Sequence, residues 1–187
     1  DGFALLVLEL TRKVCRRDPQ QKSRFVRVLF SLLQSPSAAV SYEAAWTLVS
    51  LSSAPTAVRA AASTYAQLLN AQSDNNVKLI VIDQLNMLKK RHRRVLQELV
   101  IDIMRSLAIP NLDIRKRALA IATDLLSPQN VESVMLKLKK ELLSQAGRTE
   151  DGSAEYRTQL VHAIYSCAEK FPPVAGTVVR VLVEHLG

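Results

Sequence analysis

The sequence predicts an all-α protein in which antiparallel helix pairs stack into a solenoid. Composition is the first reason: 48% of the 187 residues are hydrophobic, with only five glycines and seven prolines, which argues against disorder and turn-rich β architectures. Spacing is the second, because apolar residues recur at helical intervals, as in Val77, Ile80, Val81, Leu85 and Leu88. The third is an internal repeat.

Turn-forming residues interrupt the apolar pattern and predict where each helix ends. Together the breaks divide the chain into about ten helices of three to five turns each. In chain order they fall at 17–19, 34–36, 53–55, 72–74, 90–92, 109–111, 127–129, 147–152 and 171–173.

The repeat appears in three segments, 40–48, 77–85 and 114–122, whose starts are 37 residues apart. A further copy begins near Tyr156, displaced by a loop at 147–152. A period near 40 with two helices per unit is typical of HEAT and armadillo arrays, in which each hairpin buries its apolar face on the next. We therefore predict a HEAT/armadillo-like right-handed α-solenoid forming one segment over residues 1–187. Because the chain starts without methionine and ends directly after an apolar pattern, we expect it to be a piece of a longer protein.

The remaining composition limits the compartment and the partners. No apolar run approaches the roughly 20 residues of a membrane-spanning helix. Two distant cysteines and the absence of any Asn-x-Ser/Thr acceptor fit a reduced, cytosolic compartment. The formal charge of +8 favours acidic proteins, an anionic membrane or nucleic acid, and charge alone does not choose among them.

The sequence carries no recognisable catalytic or metal-binding pattern. His92, His162 and His185 are scattered, without the spacing that a zinc site needs. The glycine-bounded segment at 147–152 lacks the lysine of a phosphate-binding loop, so we interpret it as a loop between helices. Cys167 lies five residues from His162, which places the two on different helix faces, and we expect it in the core. We predict no catalytic residue, no metal and no cofactor.

Basic clusters at helix ends are the main candidates for contacts with a partner or with lipid. Cations there offset the helix dipole, which is a purely structural role. Their recurrence at hairpin corners also suits docking to anionic lipid or to an acidic partner face. The candidate contacts are Arg16, Arg17, Lys89, Lys90, Arg91, Arg93, Arg94, Arg115, Lys116, Lys139 and Lys140, and the same clusters include Arg12, Lys13, Arg117 and Lys137.

Two aromatic residues share a face of one predicted helix, because Tyr42 and Trp46 are four residues apart. Both types are favoured interface anchors. The surrounding apolar pattern favours core packing for Trp46, whereas Tyr42 fits either role and is retained as a candidate contact.

Nucleic acid is not the expected partner, but a basic helical-repeat scaffold that tracks phosphates remains an alternative function. Base-reading helical repeats place polar side chains at equivalent exposed positions of successive units, with stacking residues between them. The equivalent positions here hold Ser41, Lys78 and Arg115, which form no recurring code, and aromatic residues are only 5% of the chain. A nuclear-transport-type array would require an acidic inner surface, which the charge of +8 disfavours.

Several stretches resemble the trunk of the beta subunits of coatomer, the COPI vesicle coat. They are 39–57, 73–83, 112–118, 130–132 and 136–141, of which Ser-Asp-Asn-Asn-Val-Lys-Leu-Ile-Val from residue 73 is the most specific. The Tyr-Glu-Ala element from residue 42 is also similar to the large-subunit trunks of clathrin adaptors, the nearest alternative.

The resemblance implies a non-enzymatic coat segment on Golgi membranes and COPI-coated vesicles. It implies action in Golgi-to-ER retrograde and intra-Golgi transport. The partners it implies are other coatomer subunits, notably delta, and an Arf-family GTPase in its GTP form, with peripheral contact to the membrane.

Overall fold

The computed structural model describes residues 1–145 and 152–186, and this part of the chain is helical with no strand. The all-α, helical-repeat class is therefore confirmed. The helices are α1 Gly2–Arg17, α2 Lys22–Leu32, α3 Ala38–Leu51, α4 Pro55–Ala71, α5 Asn75–Arg91, α6 Arg93–Glu98, α7 Val100–Met104, α8 Leu112–Asp124, α9 Val131–Ser144, α10 Ser153–Lys170 and α11 Ala175–Leu186. Short 3₁₀ turns occupy Pro19–Gln21, Arg105–Ala108 and Pro172–Val174.

Helix ends follow the predicted breaks wherever the structure describes them. Local side chains explain several of these ends: Asp74 Oδ1 accepts a hydrogen bond from the Asn76 amide at 2.8 Å, at the start of α5. Asn111 Oδ1 accepts from the Ile114 amide at 3.0 Å, at the start of α8. The predicted loop at 147–152 lies, apart from its last glycine, outside the described residues.

One predicted helix is divided in two. The pattern from 93 to 108 indicates a single helix, but Leu99 has φ −101° and ψ 3°, which separates α6 from α7. Neither glycine nor proline occurs at this break. The described part of the chain consequently has eleven α-helices instead of about ten.

The predicted repeat is confirmed by burial. Its three copies lie on α3, α5 and α8, and the first, fifth and ninth positions of each copy face the interior. The side chains at these positions are Val40, Ala44, Leu48, Val81, Leu85, Ile114, Ala118 and Ala122, all buried, and the half-buried Val77. The displaced fourth copy on α10 has the same spacing, with Tyr156, Leu160 and Ile164 fully buried.

The residue before α10, which carries the fourth copy, has a backbone conformation that favours glycine. Gly152, just before α10, has φ +78°, in the left-handed region that favours glycine. A Cβ atom added there would lie 2.5 Å from Leu112 Cδ2. A larger residue at this position would therefore adopt a strained backbone conformation and displace the Leu112 side chain.

The chain divides into two compact units, residues 1–96 (unit 1) and 97–187 (unit 2), with the division inside α6. In unit 1, α3 packs against α1, α2 and α4, and α4 packs against α5. In unit 2, α10 packs against α8, α9 and α11. The single segment over 1–187 stays a prediction.

Candidate partner-binding surfaces

An arginine from α1 joins α1 to α3 at the surface of unit 1. Arg12 Nη1 donates to Glu43 Oε2 at 2.8 Å and to Thr47 Oγ1 at 2.8 Å. Its guanidinium carbon also lies 4.6 Å from the centroid of the Trp46 ring, within cation–π distance. The three contacts hold the arginine in one place.

The expectation that Trp46 packs in the core was wrong, because its side chain is 40% exposed. The neighbouring Ala45 and Thr47 are both buried, so α3 is enclosed around much of its circumference and Trp46 occupies the open flank. Its partner Arg12 belongs to another helix, which the local apolar pattern does not reveal.

Tyr42 lies at the boundary between core and surface. Its half-buried ring packs against Tyr65 of α4 in a tilted arrangement, with ring centroids 5.5 Å apart. Burial, followed by the nearby Glu43 charge, raises the pKa of Tyr42, while a hydrogen bond with Gln84 opposes the shift. Tyr65 is fully buried, and its hydroxyl has no hydrogen-bond partner in the part of the chain that the structure describes. Tyr42 therefore packs on a buried tyrosine and is only partly accessible to a partner.

The basic residues predicted as contacts in unit 1 are placed at helix ends, as expected. Arg16 and Arg17 are exposed in the last turn of α1. A second set of exposed cations follows the α5–α6 corner, and we call it the α5 corner: Lys90, Arg91, Arg93 and Arg94. Lys89 is half-buried and has an interaction within the fold.

Arg115 of α8 is placed in the interior instead of at the surface. It is 7% exposed, and its Nε donates to the Ile109 carbonyl at 2.6 Å. Ser41 and Lys78 are buried as well, so the three equivalent repeat positions are internal and the expectation that they face outward was wrong. The physical reason is that each directly follows the first residue of a copy's inward-facing stripe, where the neighbouring helices still enclose the side chain.

The other candidates in unit 2 differ in their surroundings. Lys116 Nζ pairs with Glu155 Oε2 of α10 at 2.7 Å. Lys139 is half-buried and has an interaction within the fold, whereas Lys140 is exposed. The sequence does not distinguish these lysines as candidate contacts. Glu155, the partner of Lys116, is distant in sequence and comes near only when α10 packs against α8.

No cluster of three or more His, Cys, Asp or Glu side chains suited to a metal occurs among residues 1–145 and 152–186. Burial raises the pKa of the Cys167 thiol to about 11, which keeps it protonated near neutrality. Among the helices described here, none is long and apolar enough to cross a membrane.

Comparison with known proteins identifies similar chains. Residues 3–187 match the family described as the adaptin N terminal region. The chain is 52% identical over 188 residues to Coatomer subunit beta-2 of Arabidopsis thaliana, covering all of this chain and 20% of that protein. It is 49% identical over 189 residues to Coatomer subunit beta of Sus scrofa, with the same coverage. The resemblance to coatomer beta subunits is thus confirmed, and the chain spans about a fifth of the length of these relatives.

Proposed function

The chain belongs to the adaptin N-terminal family, and from that premise we propose that it is a non-enzymatic, protein-binding segment of a COPI vesicle coat. The observation that carries the proposal is the identity of about half of its residues, along its whole length, to coatomer beta subunits. Tight helix packing with exposed side chains at the corners suits a platform on which other proteins assemble.

In this role the chain acts in Golgi-to-ER retrograde and intra-Golgi transport, in the cytoplasm and at the surface of Golgi membranes. Its partners are other coatomer subunits, notably delta, and the GTP form of an Arf-family GTPase. Exposed cations support a contribution to membrane attachment, because anionic headgroups attract lysine and arginine by about 1 kcal/mol each. The α5 corner and the Arg16–Arg17 pair are the surfaces available for it.

Coat membership is tested by a chimera. The matching fifth of a full-length coatomer beta subunit is replaced by this chain, and the product is co-expressed with the delta subunit and purified by a tag on delta. We expect a stoichiometric complex. A chimera that folds, as judged by helical circular dichroism, but does not co-purify with delta would contradict the proposal.

GTPase binding is tested on the chain itself. The chain is titrated at physiological salt with Arf loaded with a non-hydrolysable GTP analogue and, separately, with Arf-GDP. We expect binding to the GTP form only. Equal binding of both forms would contradict a nucleotide-dependent contact within these residues.

A trunk segment of a clathrin-type adaptor large subunit is the alternative, because the matching family covers adaptins in general. The same replacement made in an adaptor large subunit distinguishes the two. Assembly in the adaptor and not in coatomer would favour the alternative.

A further inference from the structure

A basic cleft lies in unit 2 beside α9. It has a volume of about 270 Å³. One side is formed by the Arg105–Ala108 turn and the other by α9. Four of its lining side chains are basic and one is acidic: Arg105, Arg115, Lys137, Lys140 and Glu141.

The most recessed cation is fixed in place. Arg115 is almost fully buried, and its Nε is held by the Ile109 carbonyl at 2.6 Å. Lys137 and Lys140 are three residues apart on α9, so both project towards the same cleft. The cleft thus combines a buried guanidinium with two more accessible lysines. The buried charge is the one held most firmly in place.

Among the described residues that line the cleft, the one carboxylate accepts hydrogen bonds from neutral groups. Glu141 Oε1 accepts from Gln145 Nε2 at 2.8 Å and from the Tyr156 hydroxyl at 3.3 Å. Within residues 1–145 and 152–186, no carboxylate forms an ion pair with Lys137 or Lys140. The positive charge of the lysines is therefore not neutralised by the described part of the fold.

We propose that this cleft binds an acidic peptide segment of a partner protein, with a carboxylate against Arg115 and the two lysines. The rest of the lining includes the apolar groups of Met104, Leu107 and Ala108, which suit an apolar side chain next to the acidic residue. The volume is below the usual range for whole small molecules and suits one or two side chains.

The same features disfavour a lipid headgroup. A phosphorylated headgroup presents no apolar side chain to fill the space beside Met104, Leu107 and Ala108. The cleft is also recessed, whereas contacts with a membrane surface require exposed cations. The inference depends on the geometry of unit 2 and does not require coat membership.

The test uses a fluorescein-labelled twelve-residue peptide with Glu-Asp-Leu-Glu-Asp at its centre, titrated with the whole chain and followed by anisotropy. A control peptide has Gln-Asn-Leu-Gln-Asn in its place. The cleft variant is Lys137→Glu with Lys140→Glu, and the matched variant is Lys90→Glu with Arg94→Glu in the α5 corner, which changes the net charge equally. Helical circular dichroism confirms that both fold.

We expect the acidic peptide to bind and the amide peptide not to bind. The cleft variant should weaken binding by at least about tenfold, and the matched variant by less than about twofold. Equal weakening by both would mean that overall charge attracts the peptide, and the site would be rejected. Loss of binding to phosphatidylinositol 4-phosphate vesicles in the cleft variant alone, with the peptide unaffected, would assign the cleft to lipid and also overturn the proposal.

Discussion

Arg12 in unit 1 and Lys140 in unit 2 are both cations on amphipathic helices, yet the fold gives them different surroundings. Arg12 meets Glu43, Thr47 and Trp46 on the adjacent helix. Lys140 is exposed beside a cleft in which the one carboxylate among the described lining residues, Glu141, accepts hydrogen bonds from neutral groups. For these two cations, a carboxylate on the neighbouring helix is what distinguishes the one that is held within the fold from the one that is available to a partner.

The largest effect is expected at the buried cation. Arg115→Ala removes a buried, charged donor to the Ile109 carbonyl, which then keeps only its bond from the Asn111 amide, so the free energy of unfolding should fall by about 2–3 kcal/mol. Lys116→Ala is the control one residue away, where an exposed ion pair contributes about 1 kcal/mol or less. Urea titration followed by circular dichroism measures both. Equal losses would mean that burial does not separate the two residues.

Removal of the cation in unit 1 should cost less than removal of Arg115. Arg12→Ala loses the bonds to Glu43 and Thr47, which lie in a partly exposed setting, and we expect about 1–2 kcal/mol. The same titration measures it, with the exposed Arg16→Ala as control, for which a change within about 0.5 kcal/mol is expected. If Arg12→Ala lowered the free energy of unfolding no more than Arg16→Ala, Arg12 would not stabilise the fold and would not differ from Lys140 in this respect.

The aromatic part of the Arg12 contact should be smaller again. A double-mutant cycle with Arg12→Ala and Trp46→Ala should give a coupling of about 0.5–1 kcal/mol, as expected for a guanidinium above a partly exposed indole. Urea titration followed by circular dichroism measures all four proteins of the cycle, because Trp46→Ala removes the only tryptophan in the chain and with it the tryptophan fluorescence. Zero coupling would mean that only Glu43 and Thr47 hold the arginine.

The smallest effect is expected at the cleft lysines. Lys137→Gln with Lys140→Gln removes cations that pair with no described carboxylate, so stability should stay within about 0.5 kcal/mol of the parent chain. Thermal unfolding at two salt concentrations measures it. A clear loss of stability would show that these lysines stabilise the fold, as Arg12 does, and would contradict the difference between Arg12 and Lys140.

The sequence predicted features that depend on neighbouring residues in the chain. The predicted helix breaks that lie in the described residues were correct because capping and proline chemistry act locally, as at Asp74 and Pro55, whereas the break at Leu99 was not predicted. The interior position of Arg115 and the surface position of Trp46 were missed, because tertiary packing determines both. Of the candidate contacts, the α5 corner, Arg16, Arg17 and Lys140 are exposed as predicted, and their partners stay predictions.

The buried repeat position has a consequence for engineering. One copy fills it with the Ser41 hydroxyl, which donates to the Ala38 carbonyl at 3.2 Å, another with the Lys78 amine and a third with the Arg115 guanidinium. Each side chain occupies a different volume and needs different acceptors around it. The repeat copies are therefore not interchangeable. In an array built from one averaged copy, this position would not fit its neighbours in two of the three copies unless the surrounding residues were redesigned with it.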